Sequence, residues 1–330
     1  MDKKQIHDGK YLWQCLPNGT ARILRVYAPN GVIIIPGELE GHPVAEIGAY
    51  CFSDSERLSD VSLQETVIQE GDRGSAHFQL IAGSDLESLL LPDSVVEIKD
   101  FAFYNCRKLQ RLQIGRETRK IGSDVFMNCA SLQTVEIRCG VEEASGVAMI
   151  LQQISTEIVI YFMGSLQGSE AKLLYPEYSE SYDEIAPAHI FGRNITGEGF
   201  RARQLLENGV VQLERYDGIL DKVAVEEIGL TIGRLALFRL LYPVALRQEK
   251  QVEYERQLRL HALETAQYYI DLRDLGILQK MCEHSYLQGA DLEKAIQYSI
   301  LRDWSEGSAS LLDWKQRYGM IDRRKRYSFD

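Results

Sequence analysis

Residues 92–137 repeat themselves at a spacing of 23. Ile98 falls on Ile121, Phe103 on Phe126, Cys106 on Cys129, Leu109 on Leu132, Leu112 on Val135 and Ile114 on Ile137. One offset that registers six apolar positions signals a supersecondary unit stacked on copies of itself. Such a unit cannot bury its apolar face alone, so the flanking sequence must supply further copies and caps.

Further copies are present. Val44, Ile47, Phe52, Leu58, Val61 and Leu63 form a first repeat, 51 residues ahead of the third, which is two periods plus five. Leu86, Leu89 and Leu91 lie 23 residues before Leu109, Leu112 and Ile114, so a second repeat keeps its back half. Its front half, 66–85, is expected to hold the five extra residues in a loop containing GDRGSAHFQ. Ile158 and Ile160 belong to a decayed fifth copy, as expected of a terminal coil. Ahead of the repeats, 11–16, 21–27 and 32–35 read as short strands of an N-terminal cap, separated by Pro-Asn-Gly turns at 17–19 and 29–31. Within each coil the LxxLxI segment (109–114, 132–137) is expected to be a strand. A short helical turn is expected at 100–105 and 123–128, capped by Asp100 and Ser123. Asn105 and Asn128 sit where the chain must turn and a left-handed conformation is tolerable.

The segments SVVEIKDFAFYNCRKLQRLQI, ETRKIGSDVFMNCASLQTVEI and GVIIIPGELEGHPVAEIGAYCF resemble the BspA-type (treponemal) leucine-rich repeat of bacteria. The resemblance covers roughly residues 20–162 and departs at Ser55, where the family has cysteine. It implies a bacterial interaction protein, often one displayed at the cell surface. The amino terminus, MDKKQIHDGKYLWQCLP, has charges but no apolar stretch behind them, so the expected compartment is the cytoplasm and not the surface.

The register ends after Gly164, and 164–231 reads as an irregular connector, partly helical. From 232 onward helices dominate. Ile232 to Tyr242 is apolar nearly all round and stops at Pro243, as a buried helix would. Residues 248–273 read as one long amphipathic helix, and stripes at Leu278/Met281/Cys282 and Leu292/Ala295/Ile296/Ser299 mark two more. A last helix, 308–318, is expected to stop at Gly319. These pieces resemble ankyrin-like or other α-solenoid helix pairs, without the T-P-L-H of the ankyrin consensus. The fold class is therefore α+β multidomain: a β-rich leucine-rich-repeat solenoid with its cap over 1–163, the connector over 164–231, and an all-α, helical-repeat-like domain over 232–330.

Charge and motifs narrow the function. The net charge is −11, with 15 basic against 22 acidic residues over 1–163 and 22 against 26 over 164–330. Neither half carries the basic footprint that nucleic acid or an anionic membrane requires. The cluster Arg323, Arg324, Lys325, Arg326 reads as a solvated tail. Two of the six cysteines recur at the repeat period among apolar residues, which favours reduced, buried thiols over disulfides. No HExxH, G-x-S-x-G or GxxxxGK[ST] occurs. Cys282 with His284 is a lone pair on a helix, better read as a helix with one core side and one wet side. Gly197 and Gly199 followed by Arg201 and Arg203 suggest an anion nest, but a plain turn before a helix fits better, since the third glycine and a strong preceding strand are missing. No catalytic residue, metal site or cofactor is expected.

What remains is surface. Between the leucines of each strand, side chains point away from the core, and stacking lines them into columns. The columns are Ser59, Glu87, Gln110, Gln133; then Asp60, Ser88, Arg111, Thr134; then Ser62, Leu90, Gln113, Glu136. The expected binding residues are Glu87, Leu90, Gln110, Arg111, Gln113, Gln133, Thr134 and Glu136, with Arg111→Ala expected to leave stability unchanged. The expected function is a non-enzymatic scaffold binding another protein. The alternatives are a surface adhesin of the BspA kind, or an enzyme with a site at the interdomain seam near 190–203.

Overall fold

The structure, a computed structural model, describes residues 8–55, 62–69, 78–185 and 190–327, with backbone only for 185, 190, 191 and 318–327. The chain divides into two compact units, Met1–Tyr216 and Asp217–Asp330.

The first unit opens with β1 (Gly9–Cys15), β2 (Ala21–Ala28), β3 (Val32–Ile34), β4 (Glu38–Leu39) and β5 (His42–Ile47). Next come β6 (Gln64–Ile68), β7 (Gln79–Leu80) and β8 (Ser88–Leu90). Short strands then alternate with longer ones: β9 (Glu97–Ile98), β10 (Arg111–Ile114), β11 (Lys120–Ile121) and β12 (Thr134–Ile137). Helix α1 (Val147–Leu151) leads into β13 (Ile158–Met163) and β14 (Glu170–Tyr175).

Two sheets result. In one, β3, β8, β10, β12 and β13 run parallel in that order, and β14 closes the end antiparallel. In the other, β2, β5, β9 and β11 run parallel, with β1 antiparallel on β2 and β6 antiparallel on β1. Five parallel strands in the first sheet mean a solenoid of about five turns. The interior between the sheets is oily throughout: Phe52, Phe103, Leu109, Leu112, Leu132 and Val135 are all buried. Phe103 lies between the rings of Phe52 and Phe126, 5.7 Å from each.

The pairing corrects the repeat count. Ile47 pairs directly with Ile98, and the Phe52 N–H donates to Ala102 O at 2.9 Å, so no coil separates them. The 51-residue offset is one 23-residue period plus a 28-residue excursion, not two periods plus five. The chain leaves the coil after Asp54 and rejoins it at Gly83, whose N–H donates to Phe52 O at 2.7 Å. Arg25, nearly buried, pins the departure by donating to the carbonyls of Tyr50, Cys51 and Ser55. Ile33, not a residue of the supposed first repeat, pairs beside Leu89. Leu63 is exposed; Leu58 and Val61 lie outside the described residues, as does most of GDRGSAHFQ. Strands β2 and β3, expected as a cap, are themselves the first coil. The cap proper is β1 with β6, fastened where Trp13 Nε1 donates to Thr66 Oγ1 at 2.9 Å.

Between the sheets the expected helical turns are successive tight turns. Tyr104 N bonds Phe101 O and Cys106 N bonds Phe103 O, with left-handed φ at Phe101 (58°) and Asn105 (64°), which no helix accommodates. Asn128 has φ 65°, as its side chain allows. Asp100 does not cap its own coil; its Oδ1 accepts from Ser123 N of the next coil at 2.7 Å. The same inter-coil logic recurs twice. Asn128 donates to Asn105 Oδ1 and Asn105 to Asp54 Oδ1, while the Cys106 and Cys129 thiols donate to Phe52 O and Phe103 O of the preceding coil. Gln153 ends the ladder: its amide accepts from Val125 N and donates to Gly122 O, both at 2.8 Å, where a next coil would have bonded.

Residues 164–231, expected as an irregular connector, contain β14, a hairpin of β15 (Ser179–Ile185) and β16 (Ile190–Thr196), and the four-residue helix α2 (Gly199–Ala202). A second, smaller hairpin, β17 (Leu206–Glu207) with β18 (Val210–Val211), leads to α3 (Leu213–Asp217), where the units meet in sequence. The pieces are too short to show a period, which is why none was legible.

The second unit comprises α4 (Leu220–Glu226), α5 (Gly229–Leu241), α6 (Gln248–Leu260), α7 (Ala262–Asp271), α8 (Leu275–Glu283), α9 (Gly289–Leu301) and α10 (Ser305–Tyr327). The long helix expected at 248–273 is two helices broken at His261 (φ −113°), which lets α6 and α7 both pack on α5. The last helix runs past Gly319 to Tyr327. The pairs α7–α8 and α9–α10 are copies of one another at a spacing of 30. Arg273 (φ 54°) and Asp303 (φ 50°) turn the chain alike, and Asp274 N→Tyr269 O matches Trp304 N→Ser299 O. Like helices stack, α7 on α9 and α8 on α10, so this unit is a helical repeat. Its core holds an ion pair: fully buried Arg239 donates to both oxygens of Asp217 at 2.7 and 2.9 Å, and Tyr254 Oη donates to the same carboxylate.

Candidate functional site: the outward face of the parallel sheet

The outward columns form as the spacing dictates. Ser88, Arg111, Thr134 and Val159 are consecutive partners across β8, β10, β12 and β13; Leu90, Gln113, Glu136 and Tyr161 are the next column. Just ahead of the strands, Glu87, Gln110 and Gln133 continue the ladder, Gln110 N bonding Glu87 O at 2.9 Å and Gln133 N bonding Gln110 O at 3.0 Å. Each such bond fixes one column member against the next, so the strip is stiff.

Exposure sorts the expected residues. Glu87, Gln110, Gln133 and Arg111 are exposed; Thr134 and Leu90 are half-buried. Gln113 and Glu136 are only 7% exposed, which corrects the expectation that they face water. In a stack each mid-length side chain has a neighbour about 4.8 Å away on either side, and longer neighbours cover it. Arg111 reaches across to Glu136 at 2.7 Å. Truncating Arg111 would strand that nearly buried carboxylate, so a stability cost is expected where the sequence alone predicts none. Of the remaining column members, Ser59 and Asp60 lie outside the described residues, and Ser62 is exposed but belongs to no strand.

The first coil supplies members that the sequence reading missed. Val32, 54% exposed, continues the Ser88 column and Ile34 the Leu90 column; at the far edge Lys172 of β14 pairs with Tyr161. The missed signal was VIIIP (32–36) echoing SLLLP (88–92), with Pro36 and Pro92 ending the two strands alike.

The other sites singled out in the sequence are structural. Arg203 is buried and donates to the carbonyls of Ile154, Thr156, Pro176 and Gly199 at 2.6–2.9 Å, leaving no clamp for an anion; burial lowers its pKa to about 10. Arg201 is held by Glu198 at 2.7 Å. Gly199 is glycine because a Cβ there would lie 2.0 Å from Pro176 O. Residues 190–203 lie within the first unit. Cys282 is buried on α8, while His284 stacks on Tyr286 with centroids 5.6 Å apart. Among the described residues no three His, Cys, Asp or Glu side chains converge as metal ligands would, and no helix is long and apolar enough to cross a membrane.

Fold and face together define a leucine-rich-repeat solenoid joined to a helical repeat. Residues 38–149 match the family model described as BspA type leucine-rich repeat region, and this protein carries BspA-type repeats. Two solved structures are similar to it. A leucine-rich-repeat protein of T. pallidum is 21% identical over 38% of this chain and 50% of its own, with a TM-score of 0.28. A leucine-rich cell surface protein of Faecalibacterium prausnitzii is 23% identical over 41% of this chain and 34% of its own, with a TM-score of 0.27. The matched parts thus span half or less of those chains. No curated protein matches this one.

Proposed function

We propose that this protein is a non-enzymatic scaffold that binds another protein through the outward face of its parallel sheet. Leucine-rich repeats are interaction modules, and the observation that carries the reading is the stiff exposed strip Glu87–Gln110–Gln133 with Arg111 beside it. Rigid presentation lowers the ordering cost of binding, and Arg is enriched at binding hot spots. The reading assigns the cytoplasm as compartment, in keeping with the Cys106 and Cys129 thiols serving as inter-coil donors in the core. The test is comparative capture from the native cell with the unaltered protein and with Gln110→Ala/Gln133→Ala. One captured protein should be lost at least tenfold while the melting temperature stays within about 2 °C. Equal recovery of every captured protein would remove the face from the account.

A further inference from the structure

The excursion from the second coil does more than lengthen a loop, because it builds one wall of a groove beside the strip. Ile68, which ends β6, lines an opening of about 500 Å³ together with Pro36, Pro92, Glu38, Asp93 and Ser94. A hollow of about 150 Å³ sharing Gly37 and Pro92 continues it past Ile34 and Leu90 to Gln113 and Arg138. The trough therefore crosses the coils of β3, β8, β10 and β12. Three inter-strand steps of about 4.8 Å give roughly 14 Å, the reach of about four extended residues.

Its chemistry is polarised. Pro36, Pro92 and the aliphatic residues Ile34, Ile68 and Leu90 line it. Two carboxylates also line it, Glu38 just past β3 and Asp93 just past β8. Arg138 neutralises Asp93 at 3.0 Å, whereas Glu38 is exposed and makes no ion pair among the described residues. The trough is open along its length, which suits a chain passing over it and not a small molecule enclosed on all sides.

We propose that the trough binds an extended segment of a partner protein, about four residues long, with a lysine or arginine at Glu38 followed by apolar side chains over Pro36, Pro92 and Ile68. This rests on the protein-binding reading above and specifies what the partner brings to it.

Three fluorescein-labelled peptides test it against the full chain by anisotropy: acetyl-Ser-Lys-Val-Leu-Val-Ser-amide and its counterparts with Glu or Ser in place of Lys. The Lys peptide should bind at least tenfold tighter than the Glu peptide, with a preference that shrinks as salt rises. Glu38→Lys should reverse the order, and Ile68→Asp should weaken all three. Equal binding of the three peptides, or no binding of any, overturns the trough. So does binding that Gln110→Ala/Gln133→Ala abolishes while the trough variants leave it intact, although that result would leave the strip reading standing. Loss of the captured partner on altering the strip, with peptide affinity unchanged, supports the two as separate contacts.

Discussion

Replacing Phe103 with alanine removes the ring that joins the second, third and fourth coils. The side chain is fully buried and touches one ring on each side at 5.7 Å. Transfer and cavity costs for such a truncation are about 3–5 kcal/mol. The two tilted ring contacts, each worth about 0.5–1.5 kcal/mol beyond area burial, put this position at the upper end of that range. A unit of this size loses about 2–4 °C of melting temperature per kcal/mol, so a fall of roughly 8–20 °C is expected in the transition of the first unit. Differential scanning calorimetry reads it directly, with Gln110→Ala, an exposed substitution expected to stay within about 0.5 kcal/mol, as control. Arg111→Ala should fall between, costing about 1 kcal/mol through the stranded Glu136. Equal shifts for Phe103→Ala and Gln110→Ala would refute the assignment of inside and outside.

Three other outcomes are expected. Arg239→Met should cost the helical unit about 3–5 kcal/mol in a denaturant titration, because it leaves Asp217 buried without its partner; adding Asp217→Leu should restore part of that. A thiol reagent at mildly alkaline pH should modify Cys15 quickly and the other five cysteines only on unfolding. Burial raises Cys51, Cys129 and Cys282 to about 12 and Cys139 to about 11, and pushes Cys106 up as well. Rapid modification of two thiols in the folded protein would contradict it. The same shifts make stability full below the unfolded thiol value of about 8.5 and progressively lost as pH rises towards 12, since the unfolded chain ionises first. A melting temperature that rises across that window would reverse the sign.

How much of this was legible depended on where the period was uninterrupted. From Ile98 to Ile137 the sequence states the coil, the strand and the buried rings, because two copies of the unit stand in register at 23. In the first coils the period misleads, because an insertion of 28 looks, by arithmetic alone, like one period plus five. Only strand pairing separates the two, although the VIIIP and SLLLP echo was there to be used. Within the candidate site, alternation located the outward columns correctly, yet exposure was beyond it. Whether Gln113 and Glu136 meet water depends on the length of side chains one coil away, which no single strand records. In the helical unit the stripes marked the helices, but the break at His261 follows from what each half packs against.

The central claim is that the coils of Phe52 and Phe103 are immediate neighbours sharing one interior despite 51 intervening positions. A double-mutant cycle with Phe52→Leu and Phe103→Leu tests this most directly, with Phe52→Leu and Phe126→Leu as the pair one coil further apart. Coupling of about 0.5–1.5 kcal/mol is expected for the first pair, and additivity within about 0.5 kcal/mol for the second. Additive behaviour of Phe52 with Phe103 would contradict the account, since it would require another coil between them.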